Sequence, residues 1–215
     1  MIDYSQHIQT CLDKVDDGQC KLNDKALSLE GMSDNKLRTL LNFLLELPNA
    51  KYLEVGTWRG ATLYSATYKN NPTYVHAVDN FCQFSFDGPT GPDSKRILDF
   101  DIFIKNLFKG GENEYCKFDF SDCDSFHVNK EHIKQPINIY FYDAGHTAED
   151  QFQALDYYYD ILEDEFIYIC DDWAHLGVKE GTNQAIEKNN LKITTQWELD
   201  YNCGILVAHI QKNKV

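Results

Sequence analysis

Apolar residues in this chain recur in two alternating patterns, one with helical spacing and one of short continuous runs. Five leucines between residues 37 and 45 follow the i, i+3, i+4, i+7, i+8 spacing of a helix with one apolar stripe. Ser33 or Asp34 can cap this helix, and Pro48 lies just beyond its end. The pattern therefore predicts a helix that leads directly into the first apolar run.

The short apolar runs predict the strands of one sheet. Further helices are predicted from Asp93 over about 15 residues, around Phe152, Leu155, Tyr159 and Leu162, and over 178–189. Strands that alternate with helices predict right-handed crossovers and a Rossmann-like, doubly wound, mostly parallel seven-stranded α/β sheet with helices on both faces. We interpret residues 1–30 as an N-terminal extension and residues 31–215 as a single domain. The predicted strands are 51–55, 73–78, 115–118, 137–142, 166–170, 193–198 and 204–210.

Charge and composition narrow the function classes. The net charge of −14 opposes the phosphate backbone, so we expect no nucleic-acid partner. No run approaches the ~20 apolar residues that span a bilayer, and the first residues have no basic-then-apolar leader pattern, so we expect a cytoplasmic protein without a membrane partner. Seven cysteines without a C-x-x-C pair indicate a reducing compartment. The sequence leaves homo-oligomerisation open.

Two glycines mark the turn after the first predicted strand. Gly56 and Gly60 have the spacing G-x-x-x-G, whereas a dinucleotide site requires G-x-G-x-x-G so that a pyrophosphate can reach the helix N-terminus. In an open α/β sheet such a turn is where a ligand binds. An ordinary strand-to-helix turn is the alternative, and a nicotinamide-dependent oxidoreductase is disfavoured by the missing glycine.

Residues 54–62, EVGTWRGAT, resemble the first motif of class I S-adenosylmethionine-dependent methyltransferases, particularly of the catechol O-methyltransferase type. The resemblance implies that Gly56 and Thr57 line the methionine part of the cofactor and that Thr62 hydrogen-bonds its carboxylate. It implies that Asp79, at the end of the second strand, accepts both ribose hydroxyls, and that Asp119, closing the third strand, contacts the adenine amino group. Asp122 and Asp124 follow Asp119 closely and are alternatives. The implied cofactor-binding set is Glu54, Gly56, Thr57, Trp58, Gly60, Thr62, Asp79, Asn80 and Asp119.

Three carboxylates follow two later strands. Asp143 ends the strand 137–142, and Asp171 and Asp172 end the strand 166–170. If these strands are neighbours, their ends lie ~5 Å apart and the acids repel each other unless a cation or protons intervene. All-oxygen ligation favours a hard ion, so the sequence predicts Mg²⁺ at Asp143, Asp171 and Asp172. The alternative is that these acids are helix N-caps.

The segments 140–146, YFYDAGH, and 170–173, CDDW, resemble metal-dependent sugar O-methyltransferases related to macrocin and novobiocin biosynthesis. The resemblance implies a metal that binds two substrate oxygens and lowers the pKa of the hydroxyl to be methylated. We expect His146 to be the general base, with His175 or Asp143 as alternatives, or else to cap the helix that begins near Thr147.

The expected function is thus methyl transfer from S-adenosylmethionine to a hydroxyl of a small molecule or sugar. A protein of this fold that binds ligands without catalysis is the alternative from another class. The acceptor is not readable from the sequence. Its recognition is expected to depend on the N-terminal extension and on the loop 81–93, where Phe81, Phe84 and Phe86 indicate either an apolar lid or anchors that pin the loop to the body.

Overall fold

A seven-stranded sheet between two layers of helices forms the centre of the structure. The computed structural model describes residues 2–82, 93–108, 117–134 and 136–213. The strand order is β3-β2-β1-β4-β5-β7-β6. Strand β7 runs in the direction opposite to the other six strands. The strands are β1 (Lys51–Val55), β2 (Tyr74–Asp79), β3 (Asp119–Asp122), β4 (Ile137–Tyr142), β5 (Leu162–Cys170), β6 (Leu191–Leu199) and β7 (Ile205–Lys212).

Seven α-helices are described, and two short 3₁₀ helices lie at Lys130–His132 and Tyr159–Ile161. Consecutive strand residues such as Tyr52 and Leu53 belong to two separate apolar clusters, because side chains alternate across a sheet. The fold prediction is therefore confirmed. The helices are α1 (Tyr4–Asp16), α2 (Asp24–Ser28), α3 (Asn35–Leu44), α4 (Ala61–Thr67), α5 (Asp93–Phe108), α6 (Ala148–Tyr158) and α7 (Leu176–Lys188).

The segment predicted as an N-terminal extension packs onto one face of the sheet. Ile8 and Leu12 of α1 are buried in the same apolar cluster as α3 and α4. The Ser5 hydroxyl lies 2.7 Å from Thr195 Oγ1 on β6 and 2.9 Å from His209 Nδ1 on β7. Helix α1 thus covers the antiparallel end of the sheet.

Strongly patterned elements lie where the sequence predicts them. Strands β1 and β4 have the predicted bounds, and α5 begins at Asp93. Asp34 is the N-cap of α3, because its Oδ1 accepts the Leu37 N–H at 2.7 Å. The residues 83–92, which include Phe84 and Phe86, lie outside the described residues, whereas Phe81 is buried against Phe100, Phe103 and Phe120. Phe81 is therefore an anchor rather than part of a lid.

The predicted third strand, 115–118, is wrong in its described part, and residues 115 and 116 lie outside the described residues. Residues 117 and 118 are not in a strand, and Asp119 begins β3 instead of closing it. The prediction failed because β3 is a half-exposed edge strand whose position is set by pairing with β2 rather than by an apolar run of its own. The predicted helix around Phe152 also ends earlier, since Tyr159 starts a 3₁₀ turn and Leu162 starts β5.

Membrane-spanning segments and the state of the cysteines are the subject of two expectations from composition, and both can be compared with the described residues. None of their helices is long and apolar enough to cross a membrane. The six described cysteines, all but Cys116, are free thiols.

His76 makes the stability of this sheet dependent on pH. Its ring is buried on β2, where Nδ1 lies 3.0 Å from the Tyr74 hydroxyl and Nε2 lies 2.9 Å from Ser121 Oγ. Burial lowers the pKa of His76 from 6.5 to about 4. The folded state therefore favours the neutral ring. The contribution of this preference to the free energy of unfolding is complete above pH ~6.5 and is lost as the pH falls toward 4.

We expect the unfolding free energy of the parent, relative to His76→Gln, to fall by about 2 kcal/mol between pH 7.5 and 4.5. Urea denaturation at both pH values measures this difference. The control variant is His127→Gln, which alters an exposed ring outside the buried sheet. A difference for His76→Gln that stays constant with pH would contradict the prediction.

Candidate functional site

A cleft opens at the carboxyl end of β1, near the point where the strand order reverses between β1 and β4. Its walls are formed by residues 31–33 before α3, by the turn 56–59, by Ala61 and Thr62 at the start of α4, and by Asp143 after β4. Ligands of open α/β sheets bind at this position. Four of the predicted cofactor residues line the cleft, namely Gly56, Thr57, Trp58 and Thr62.

Gly56 allows the turn after β1 to approach the end of β4. Its φ of 92° lies in the left-handed region, and a Cβ at this position would collide with the backbone carbonyl oxygen of Asp143. Glycine is thus required here both for its backbone conformation and for its missing side chain.

Asp79, at the end of β2, holds the backbone of the turn. One carboxylate oxygen accepts the Trp58 N–H and the other accepts the Phe81 N–H, each at 2.6 Å. Asp79 is 7% exposed, and burial raises its pKa. Its neighbour Asn80 accepts the Cys82 N–H at 3.0 Å through its side-chain oxygen.

Glu54 lies beneath the cleft and is fully buried. Its carboxylate accepts the Tyr52 hydroxyl at 2.6 Å and the Thr62 hydroxyl at 2.7 Å. Burial raises the pKa of Glu54 to about 6. Glu54 therefore fixes the rotamer of Thr62, one of the residues that line the cleft.

Arg59 connects the turn to the wall that precedes α3. Its guanidinium pairs with the buried Asp99 of α5 at 2.7 Å and with Glu30, next to the cleft residues 31–33. A planar guanidinium with several fixed donors is suited to joining two carboxylates in this way.

Beyond the cleft, three ligand-type side chains converge at the ends of β4 and β5. One potential ligand atom from each of Asp143, His146 and Asp172 lies within 4.8 Å of the other two. Among the described residues, this is the one group of three potential metal ligands that lie so close together. His146 Nε2 is 2.7 Å from Asp172 Oδ2, and His175 Nε2 is 3.8 Å from Asp172 Oδ1. Asp172 has a φ of 56°, a strained conformation for a residue other than glycine.

The electrostatics of this cluster fit a cation. Burial, followed by the charges of Asp171 and Asp172, raises the pKa of Asp143 well above its usual range. Burial raises the pKa of the neighbouring Asp171 as well, and clustered carboxylates disfavour one another's charged form. The hydrogen bond from His146 lowers the pKa of Asp172 and raises that of His146. A divalent ion bound by these residues would supply the missing positive charge.

The helix caps next to this cluster are other residues. Thr147 caps α6 in a capping box with Asp150, and His175 occupies the N-cap position of α7. The alternative interpretations of Asp143, His146, Asp171 and Asp172 as helix caps are therefore wrong.

Comparison with solved structures identifies the fold. A Geobacter sulfurreducens methyltransferase has a TM-score of 0.62 at 12% identity, with 97% of this chain and 96% of that chain covered. A Staphylococcus aureus protein provisionally named as a caffeoyl-CoA O-methyltransferase has a TM-score of 0.60 at 13% identity (95% and 91% covered). A Bacillus cereus O-methyltransferase in complex with S-adenosylhomocysteine (SAH) has a TM-score of 0.57 at 14% identity (98% and 92% covered). The chain has a Rossmann-like methyltransferase fold.

Comparison of the sequence alone identifies no family, because no protein-family model matches the chain and no curated protein matches it significantly. Because the sequence identities to these solved structures are only 12–14%, the similarity shows the fold and not the activity of this chain. A ribosomal protein L11 methylase also shares this fold, so the fold does not choose the acceptor.

One predicted residue, Asp119, lies away from the strand end where it was expected. Asp119 pairs in register with His76 and forms an ion pair with Lys134 at 3.1 Å, away from the strand end. The strand end beside Asp79 holds Asp122, whose carboxylate pairs with Arg96. Asp122, the alternative to Asp119, thus lies at the strand end next to Asp79.

Several site residues were missed by sequence reasoning. Residues 31–33 form a wall of the cleft, although they lie more than 20 positions before the glycine turn. From the turn between β6 and β7, the Asn202 amide donates to Asp171 Oδ2 at 3.4 Å, and the charge of Asp172 contributes to raising the pKa of the exposed Cys203 thiol, after the burial of that thiol. The sequence carries no motif for these contacts, because they join segments far apart in the chain.

Proposed function

We propose that this protein transfers a methyl group from S-adenosylmethionine to a hydroxyl of a small molecule or sugar, assisted by a divalent ion. The main support for the proposal is that Asp143 belongs both to the cleft and to the cluster of potential metal ligands. This residue lines the cleft beside Gly56 and Thr57, and it belongs to the cluster with His146 and Asp172. A methyl donor in the cleft and an acceptor at the cluster would therefore be neighbours.

The chain's own residues divide the work between binding and alignment. Gly56, Thr57 and Thr62 would hold the methionine end of the cofactor, and Asp79 the ribose. In the reaction the acceptor hydroxyl passes its proton to a histidine beside the cluster, His146 or His175, or to water, its oxygen bonds to the methyl carbon, and the carbon–sulfur bond breaks to release SAH. A divalent ion, when bound, would lower the pKa of that hydroxyl. Because the methyl group is already activated, alignment and deprotonation supply most of the catalysis.

The acceptor is proposed to be small and without a polyanionic backbone. The net charge of −14 works against RNA and DNA acceptors, which require Lys and Arg to displace counterions. Met32, 57% exposed at the cleft wall, offers an apolar contact to such a small acceptor.

The experiment that tests this proposal is calorimetry with SAH, S-adenosylmethionine and NAD on the same preparation. We expect one binding site for both adenosyl ligands and none for NAD, because the turn lacks the second glycine that admits a pyrophosphate. NAD binding without a response to SAH would overturn the cofactor assignment and favour an oxidoreductase.

Transfer itself is tested with methyl-labelled S-adenosylmethionine and a panel of catechols and sugars, with and without a chelator. We expect label in a hydroxyl ether that is lost on chelation, while SAH binding persists. SAH binding without transfer to any class of acceptor would instead favour the alternative of a protein that binds ligands without catalysis.

A further inference from the structure

One group of potential metal ligands lies at the ends of β4 and β5 and differs from the predicted set of three carboxylates. Its members are two carboxylates, from Asp143 and Asp172, and one imidazole nitrogen, from His146, all within 4.8 Å of one another. His146 Nε2 already lies 2.7 Å from Asp172 Oδ2, and its side chain is 44% exposed. The ring can therefore turn toward an ion without the opening of a packed core.

Asp171, the third acid that the sequence points to, has other partners. Its Oδ1 accepts the backbone N–H of Asp172 at 2.8 Å, and its Oδ2 lies 3.4 Å from the Asn202 amide. These contacts connect Asp171 to the backbone beside Asp172 and to the turn between β6 and β7, and Asp171 lies outside the group of three potential ligands. Asp171 is accordingly placed behind Asp143 and Asp172 as a positioning residue.

We propose that His146 is a metal ligand together with Asp143 and Asp172, and that the site selects a first-row transition ion such as Mn²⁺, Fe²⁺, Co²⁺ or Zn²⁺ over Mg²⁺. This inference rests on the proposed function for the role of the ion, but it does not depend on which cofactor occupies the cleft.

The donor chemistry gives the reason for this selectivity. Imidazole nitrogen suits the first-row transition metals, whereas Mg²⁺ prefers oxygen ligands and keeps several waters. Three protein ligands leave further coordination positions for water or for acceptor oxygens. A nitrogen bound to the ion has no lone pair left for a proton, so the ligand role of this nitrogen excludes its acting as general base.

The test is a comparison of Co²⁺ and Mg²⁺ binding to reduced, tag-free protein by competition calorimetry. In the parent we expect one Co²⁺ per chain, with visible absorption bands, and an affinity at least about 100-fold above that for Mg²⁺. Since sites of oxygen and nitrogen ligands generally prefer later metals, the decisive comparison is with His146→Asn. This variant should lose about tenfold to 100-fold in Co²⁺ affinity and less than about threefold in Mg²⁺ affinity.

His132→Asn serves as the matched control. His132 is an exposed histidine in the 3₁₀ helix Lys130–His132, and its backbone carbonyl lies 3.5 Å from the hydroxyl of Tyr74 at the start of β2, at the other end of the strands from the cluster. This variant should leave Co²⁺ affinity within about threefold of the parent, because His132 does not belong to the group of three ligands. Loss of Co²⁺ binding in the control, with none in His146→Asn, would overturn the assignment.

A second measurement does not depend on the folding of any variant. Pulsed electron paramagnetic resonance of Mn²⁺ bound to the parent should detect coupling to one imidazole nitrogen. Bound Mn²⁺ without that coupling, or equal Co²⁺ selectivity in the parent and in His146→Asn, would return His146 to the role of proton acceptor. SAH binding by the same samples separates the proposals, since metal selectivity without SAH binding would contradict the proposed function alone.

Discussion

Gly56→Ala is expected to destabilise the protein by about 3 kcal/mol or more and to abolish SAH binding. Alanine at a φ of 92° carries a backbone strain of about 1 kcal/mol. Its Cβ would also collide with the backbone carbonyl of Asp143, which is hydrogen-bonded into the sheet through its own N–H to Val55 and cannot easily retreat. Because the turn 56–59 lines the cleft, its displacement should remove the ligand site.

Gly18→Ala is the matched control for this prediction. Gly18 has a φ of 74° after α1, and a Cβ there would meet no atom within 4 Å. It therefore carries the backbone strain without the collision and should cost about 1 kcal/mol while leaving SAH affinity unchanged. Urea denaturation and calorimetry measure both quantities. Equal losses in the two variants would mean that the collision at residue 56 relaxes freely and that the close approach of β1 to β4 is not essential.

Asp79→Asn should weaken SAH binding by about tenfold to 100-fold. The aspartate accepts two backbone N–H groups on opposite oxygens, and an asparagine side chain would turn an NH₂ group toward one of them. A buried donor left without an acceptor costs about 1–3 kcal/mol, and the loss of a charge-assisted bond to a ribose hydroxyl adds to it. The midpoint temperature of thermal unfolding should fall together with the affinity for SAH, because the same carboxylate fixes the turn.

A thermodynamic cycle separates the two contributions of Asp79. The parent and Asp79→Asn are each titrated with SAH and with its 2′-deoxy analogue, and Asp101→Asn, on the exposed side of α5, serves as the control. If Asp79 binds the ribose, removing the hydroxyl should reduce the penalty of the variant. An equal penalty for both ligands would mean that Asp79 acts only by fixing the Trp58 and Phe81 amides, and the ribose assignment would fail.

The regular elements were predictable where a local pattern determines them. The leucine stripe of α3, the apolar runs of β1 and β4, and the alternation of strands and helices each depend on neighbours in sequence, so their bounds agree with the structure. The edge strand β3 was misplaced because its residues are only half-buried and its register depends on His76–Asp79 of β2. An edge strand pairs on one side only, which leaves a weaker apolar pattern in the sequence.

For the candidate site, the sequence by itself determined that Asp79 ends β2, that Asp143 follows β4, that Asp171 and Asp172 follow β5, and that Gly56 follows β1. Parallel strands bring their carboxyl ends to one edge of the sheet, so Asp79, Asp143 and Asp172 could be placed there without coordinates. Only the tertiary structure shows that ligand-type atoms of Asp143, His146 and Asp172 lie within 4.8 Å of one another, and that residues 31–33 and Asn202 reach the site. The physical reason is that the positions of strands along the chain follow from local periodicity, whereas the direction of a side chain and the approach of a distant turn are set by packing between segments that are remote in sequence.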